Sequence, residues 1–161
     1  MAAIGEVDEA NCAIGMAIAL LGTGDTALAL TRIQNEMFDC GADIATPGGG
    51  DASTSDYALR IIERQVTRLE EEIDGMNASL SPLTSFILPG GSPAVAALHL
   101  ARAVVRRAER ATVALAADER VNPHALAYLN RLSDHLFVAA RSVAAAETGD
   151  VLWQPGATRE N

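Results

Sequence analysis

The chain has 161 residues, 49% of them hydrophobic but only 4% aromatic, with a formal net charge of −9 and a sequence pI of about 4.7. That length suits one domain with its own core, spanning residues 1–161, and an apolar set dominated by Ala and Leu favours packed helices over sheets. The acidic balance excludes broad electrostatic attraction to nucleic acid or to an anionic membrane surface, so any polyanion has to be bound locally.

Ile4, Val7, Ile14, Ile18 and Leu21 recur at helical spacings and predict a first helix over Ile4–Leu21. Its start carries Glu6, Asp8 and Glu9 where a signal peptide would need positive charge. No apolar run is long enough to cross a bilayer, and the expected location is the cytoplasm. Gly22, Thr23 and Gly24 break the pattern, and Asp25 is the expected cap of the next helix. Leu30, Ile33, Met37, Cys40 and Ile44 carry that helix to Pro47. Cys12 and Cys40 show no metal-ligand spacing and read as free, buried thiols, with no metal site predicted.

Pro47 to Asp56 is small, polar and Gly-rich, which suits either a lid or a mobile connector. A third helix is expected from about Ser55 to Met76, with Leu59, Ile62, Val66, Leu69 and Ile73 on its apolar side. Arg60, Arg64 and Glu70 to Glu72 then face solvent.

Phe86 to Arg110, FILPGGSPAVAALHLARAVVRRAER, combines a Pro-Gly-Gly break, a Ser92–Pro93 helix start and four arginines in an otherwise acidic chain. At about 100° per residue, His99, Arg102, Arg106 and Arg110 fall on one stripe with Glu109 beside it, while Val95, Leu98, Val105 and Val113 share another arc. The stripe reads either as a solvated face of Glu–Arg pairs or as a guanidinium cluster for phosphate, and spacing does not choose between them.

Asn122 and Pro123 start the last helix, whose buried arc is Leu126, Leu129, Leu132, Leu136 and Val143. Asn130 and Asp134 sit one turn apart in this Leu-rich helix and want partners, since an unpaired buried polar group costs roughly 1–3 kcal/mol. The tail GDVLWQPG is expected to fold back with Trp153 on the bundle. No segment alternates with period two, and the five periodic segments predict an all-α, up-and-down five-helix bundle.

Four segments carry a resemblance: GEVDEANCAIG at 5–15, IQNEMFDCGADIATP at 33–47, FILPGGSPAVAALHLARAVVRRAER at 86–110 and YLNRLSDHLFVAAR at 128–141. Together, and in this order, they resemble the PduO-type family of ATP:cob(I)alamin adenosyltransferases. The resemblance implies a homotrimer of five-helix bundles with sites between subunits, binding ATP (with magnesium) and cobalamin. Cobalt(I) attacks the ribose 5′ carbon and triphosphate leaves. Such a reaction needs no protein base, only alignment of the reactants, exclusion of water and oxygen, and stabilisation of the leaving charge.

By the same resemblance Arg106 and Arg110 match the functional arginines, with Glu109 between them. Asp8 matches an acid that braces the first of them from a neighbouring subunit. Asn130 matches a nucleotide-binding Asn, and Phe86 an aromatic that takes the lower face of the corrin and displaces its axial ligand. The resemblance implies cobalt without a protein imidazole, so His99 and His135 are expected to be core or pocket-lining residues. Family members open with a Thr-Gly-Asp segment that wraps the ATP phosphates, and nothing like it precedes Gly5. The alternative expectation is therefore a catalytically weak cobalamin carrier or sensor. A purely structural oligomer would leave Asn130, the arginines and FILPGG unexplained. The product is expected to serve an adenosylcobalamin-dependent enzyme, with direct hand-over a possibility the sequence leaves open.

Overall fold

The computed structural model describes residues 1–46, 48 and 58–159. Among them run five helices, α1 (Ala2–Leu21), α2 (Asp25–Ala45), α3 (Glu63–Asn77), α4 (Pro93–Leu115) and α5 (Pro123–Ala145), the all-α bundle expected. The 47–56 loop, Gly48 excepted, and the expected helix start at Ser55 lie outside the described residues.

Helix α1 packs on α2 and α4, and α5 packs on α4 and α3. Buried positions on α1 (Ala3, Val7, Ala10, Ile14, Ala17) and on α4 (Ala94, Leu98, Ala101, Val105, Ala108, Thr112) alternate steps of four and three. That spacing suits knobs-into-holes packing, and the alanines let backbones approach closely. Leu98, Leu129, Leu132 and Leu136 are fully buried, each stabilising by about 1.5–3 kcal/mol. Between α1 and α2, Asn11 Nδ2 donates to the Gln34 carbonyl (3.1 Å) and Gln34 Nε2 to the Asn11 carbonyl (3.2 Å). A Cβ on Gly15 would lie 2.9 Å from Gln34 Nε2, so glycine leaves room for the exchange.

Charged groups close the circuit between α2, α3 and α5. Buried Glu36 accepts from Tyr128 Oη (2.8 Å) and Arg68 Nη1 (3.1 Å), while Arg32 grips Glu72 with both terminal nitrogens (2.6 and 3.0 Å). His135 Nε2 donates to the same Glu72 (2.9 Å). Burial opposes ionisation of Glu72, but the hydrogen bonds from His135 and Arg32 outweigh it and hold the carboxyl at about 2. Glu72 therefore does not simply face solvent as the sequence suggests.

The sequence and structure also part at several other places. Gly24, not Asp25, caps α2; Asp25 is its first residue, where its charge meets the positive end of the helix dipole. Helix α3 begins only at Glu63, because Arg60 and Ile61 are tied to Asp43 of α2. Asp43 Oδ2 accepts from the Ile61 N–H (2.8 Å) and from Asn122 Nδ2 (2.6 Å), while Arg60 Nη1 bonds Asp43 Oδ1 (2.7 Å). Ile61 enters the core, leaving Leu59 and Ile62 exposed, and Arg60 is an ion-pair partner, not a solvated charge. Val113 is exposed because it lies off the four-three seam, and Cys12 is exposed on α1 while Cys40 is buried. Ser92 caps α4 and Asn122 caps α5, each followed by proline, as their residue types dictate.

Candidate functional site

Helix α4 carries its polar stripe from the core to the surface. At the inner end His99 is 3% exposed, its ring 6.3 Å from that of Phe137, and its Nε2 has no hydrogen-bond partner among the described residues. Burial and then the Arg102 charge push its pKa below the ordinary value, which favours neutral imidazole. One turn on, the half-buried Arg102 places its guanidinium 5.9 Å from the Phe137 ring centroid, a cation–π arrangement. Farther out Arg106 and Arg110 are exposed, and no ion pair engages either among the described residues.

Arg107 points elsewhere. Roughly 100° around the helix from Arg106, it pairs with Glu6 and Glu9 of α1, so α1 acids grip the arginine that the stripe leaves out. Asp8 lies between those two acids in sequence and does not join them. It is exposed and lines a groove of about 570 Å³ between α1 and α2, beside Ile4, Asn11 and the 70% exposed Phe38. Within one chain Asp8 and Arg106 are not paired.

Glu109 and Asn130 do meet. Asn130 Nδ2 donates to Glu109 Oε1 at 2.8 Å, joining α5 to α4 at the outer end of the stripe. Asn130 and Asp134 are exposed, so the expected burial does not occur; Asp134 accepts instead from Arg131 (3.0 Å).

Phe86 stands 77% exposed and shares a cleft of about 470 Å³ with Leu83, Ser85, Ile87, Arg102 and Phe137. Arg106 and Arg110 do not line that cleft. Leu83 and Phe137 are also walls of a neighbouring cleft of about 820 Å³, which runs between α3 and α5 past Arg131, Asp134 and Arg141. Both volumes fall near the range of small-molecule sites. The structure thus joins Phe86 to Arg102 and Glu109 to Asn130, and leaves Asp8 on another face.

Sequence reasoning missed Phe137 and undervalued Arg102. A signal was available: Asn130, Asp134, Phe137 and Arg141 fall within a narrow arc of α5, and an aromatic among polar residues on one face suits a ligand wall. The tail folds back, and Trp153 packs on Phe86 at 5.9 Å between ring centroids. The chain turns at Gly149 (φ 84°) and reaches the 81–88 segment first.

On one helix of the bundle a basic stripe runs from an aromatic cleft to surface arginines that no ion pair engages among the described residues, an arrangement that suits an apolar body beside a polyanion. The chain belongs to the cobalamin adenosyltransferase family, whose sequence profile matches residues 1–143. It is 48% identical over 163 residues to a corrinoid adenosyltransferase of Mycobacterium tuberculosis, covering 99% of this chain and 82% of that one. A corrinoid adenosyltransferase of Bacillus subtilis is 44% identical over 158 residues, with 95% and 79% covered. Among solved structures, a phenylalanine-to-alanine variant of a PduO-type ATP:corrinoid adenosyltransferase from Lactobacillus reuteri, complexed with cobalamin and ATP, is similar at a TM-score of 0.82 and 37% identity. It covers 95% of this chain and 84% of that one.

Proposed function

We propose that this chain transfers the 5′-deoxyadenosyl group of ATP to the cobalt of reduced cobalamin, releasing adenosylcobalamin and triphosphate. Family membership supplies the class of reaction, and the observation in this chain that supports it is the pair of exposed arginines, Arg106 and Arg110, with no ion-pair partner among the described residues. Two permanently charged forks left unpaired at the end of a stripe suit an incoming polyphosphate.

The chemistry balances without a protein acid or base. Cobalt(I) supplies an electron pair to the ribose C5′, the C5′–O bond breaks, and its pair leaves on triphosphate. The residues act by position and charge. Arg106 and Arg110 stabilise the leaving oxyanions, Asn130 orients the nucleotide from the anchor Glu109 gives it, and Phe86 covers the lower face of the corrin. Phe137, held by Arg102 and His99, forms the apolar wall opposite. Neutral His99 keeps a second cation from crowding Arg102.

The five helices act as one domain, and the working form is a homotrimer in which Asp8 of one subunit braces Arg106 of the next. That reading is supported by the exposure of both groups and by their separation within a chain. No helix among the described residues is long and apolar enough to cross a membrane. A cytoplasmic enzyme that supplies an adenosylcobalamin-dependent partner fits these features. The test is an adenosylation assay on chemically reduced cobalamin, following loss of the cobalt(I) spectrum on ATP addition. ATP-dependent conversion is expected, and its absence at saturating reactants would overturn the assignment. Light scattering that reports a monomer would remove the shared site.

A further inference from the structure

We infer that Trp153 is a positioning residue for Phe86, and that the tail around it, bolted by Arg141, sets the aromatic that meets the corrin. This rests on the role proposed above for Phe86.

Phe86 needs such a device. It is 77% exposed, and Pro89, Gly90 and Gly91 follow it, the last at φ 117°, so its own segment gives it little restraint. The tail supplies the restraint. Ile87 and Leu152 form an isolated antiparallel bridge, the Leu88 N–H donates to the Val151 carbonyl (2.8 Å), and the Trp153 N–H donates to the Phe86 carbonyl (2.8 Å). Ser85 Oγ adds a bond to the Trp153 carbonyl (2.8 Å). Across this short ladder the Trp153 ring sits at 58° to the Phe86 ring, a tilted aromatic pair.

A ladder of one bridge does not stand alone in water. A guanidinium on α5 supports it. Arg141 is 7% exposed; its Nη2 donates to the Ser81 carbonyl (2.8 Å), at the start of the Phe86 segment, and its Nε to Asp150 Oδ2 (3.0 Å), at the start of the tail. One planar fork thereby fixes both strands, a task lysine's point charge performs poorly. The Phe86 ring is held over the cleft from outside by a segment remote in sequence.

The chain contains one tryptophan, so its emission reports the contact directly. Phe86→Ala should shift that emission to the red; an unchanged spectrum overturns the contact in solution. The functional arm uses cobalt(II) cobalamin with ATP and reads the optical signature of corrin lacking its lower ligand. Trp153→Ala should lower the ratio of corrin without that ligand to corrin retaining it by about two- to tenfold, the effect of removing one aromatic pair. Trp153→Phe should recover most of it, with thermal midpoints matching the parent in both variants. If Phe86→Ala abolishes the signature while Trp153→Ala leaves it intact, the positioning role fails and the role of Phe86 stands. Equal loss in Trp153→Ala and Trp153→Phe refutes the ring contact as the cause. A signature unaffected by Phe86→Ala removes the reading of Phe86 and this inference with it.

Discussion

Replacing Asp43 by alanine should destabilise the bundle by about 3–5 kcal/mol. Its side chain is 1% exposed, and it accepts from the Ile61 N–H at 2.8 Å and from Asn122 Nδ2 at 2.6 Å, with Arg60 at 2.7 Å. Asn122 keeps the Ile61 carbonyl, at 2.8 Å, but the Ile61 N–H loses its acceptor in the core. Each bond to a charged group contributes roughly 1.5–3 kcal/mol, so two such losses already reach the stated range. Against a total stability of about 5–15 kcal/mol the change is large, and it corresponds to a fall in melting temperature of about 6–20 °C at this chain length. Asp43→Asn keeps one oxygen for both Ile61 and Asn122 but turns its NH2 toward the Arg60 guanidinium; roughly 1–3 kcal/mol is expected. Urea unfolding followed by far-ultraviolet dichroism, at one fixed protein concentration, measures both. A loss below about 1 kcal/mol for the alanine variant would mean that the α2–α5 junction does not depend on this carboxylate.

Arg110→Ala should reduce adenosylation by about 10²-fold, the usual effect of removing one donor to developing charge. Arg107→Ala should leave turnover largely intact, since Arg107 serves Glu6 and Glu9; equal losses in the two variants would refute the division of labour along α4. Glu72, held at about 2 against an ordinary 4.5, contributes stability that is complete above about pH 4.5 and is lost as pH falls toward 2. Glu72→Gln should therefore flatten the acid limb of thermal stability between those values, and superimposable limbs would show that the carboxylate is not its source.

How much of this was legible beforehand depended on whether the signal was local. The caps of α4 and α5 follow from Ser92–Pro93 and Asn122–Pro123, residue pairs whose geometry acts within one turn. The late start of α3 was not legible, because it depends on Asp43, eighteen residues upstream of Ile61. Helical periodicity over Leu59 and Ile62 was real but was outcompeted by a buried carboxylate. The stripe on α4 was legible as a direction; which arginines stay unpaired was not, since Glu6 and Glu9 select Arg107 from a helix a hundred residues away. Helical spacing singled out Glu109 and Asn130, resemblance supplied their roles, and only the fold brings them to 2.8 Å.

The alanines along α1 and α4 have a consequence for how the protein can change. Ala101 and Ala108 are fully buried on the side of α4 opposite its exposed arginines. Enlarging either to valine costs about 1–3 kcal/mol if the neighbours do not yield. If they do yield, the whole helix is levered outward and carries Arg102, Arg106 and Arg110 with it, and a displacement of about 1 Å can slow a reaction on the order of 10²-fold. Mutational drift on the hidden side of α4 would thus emerge as slow but well-folded variants with every polar residue of the site unchanged. Tolerance to substitution is set there by methyl groups, and a search for altered activity that samples only the visible cleft would overlook the positions that aim it.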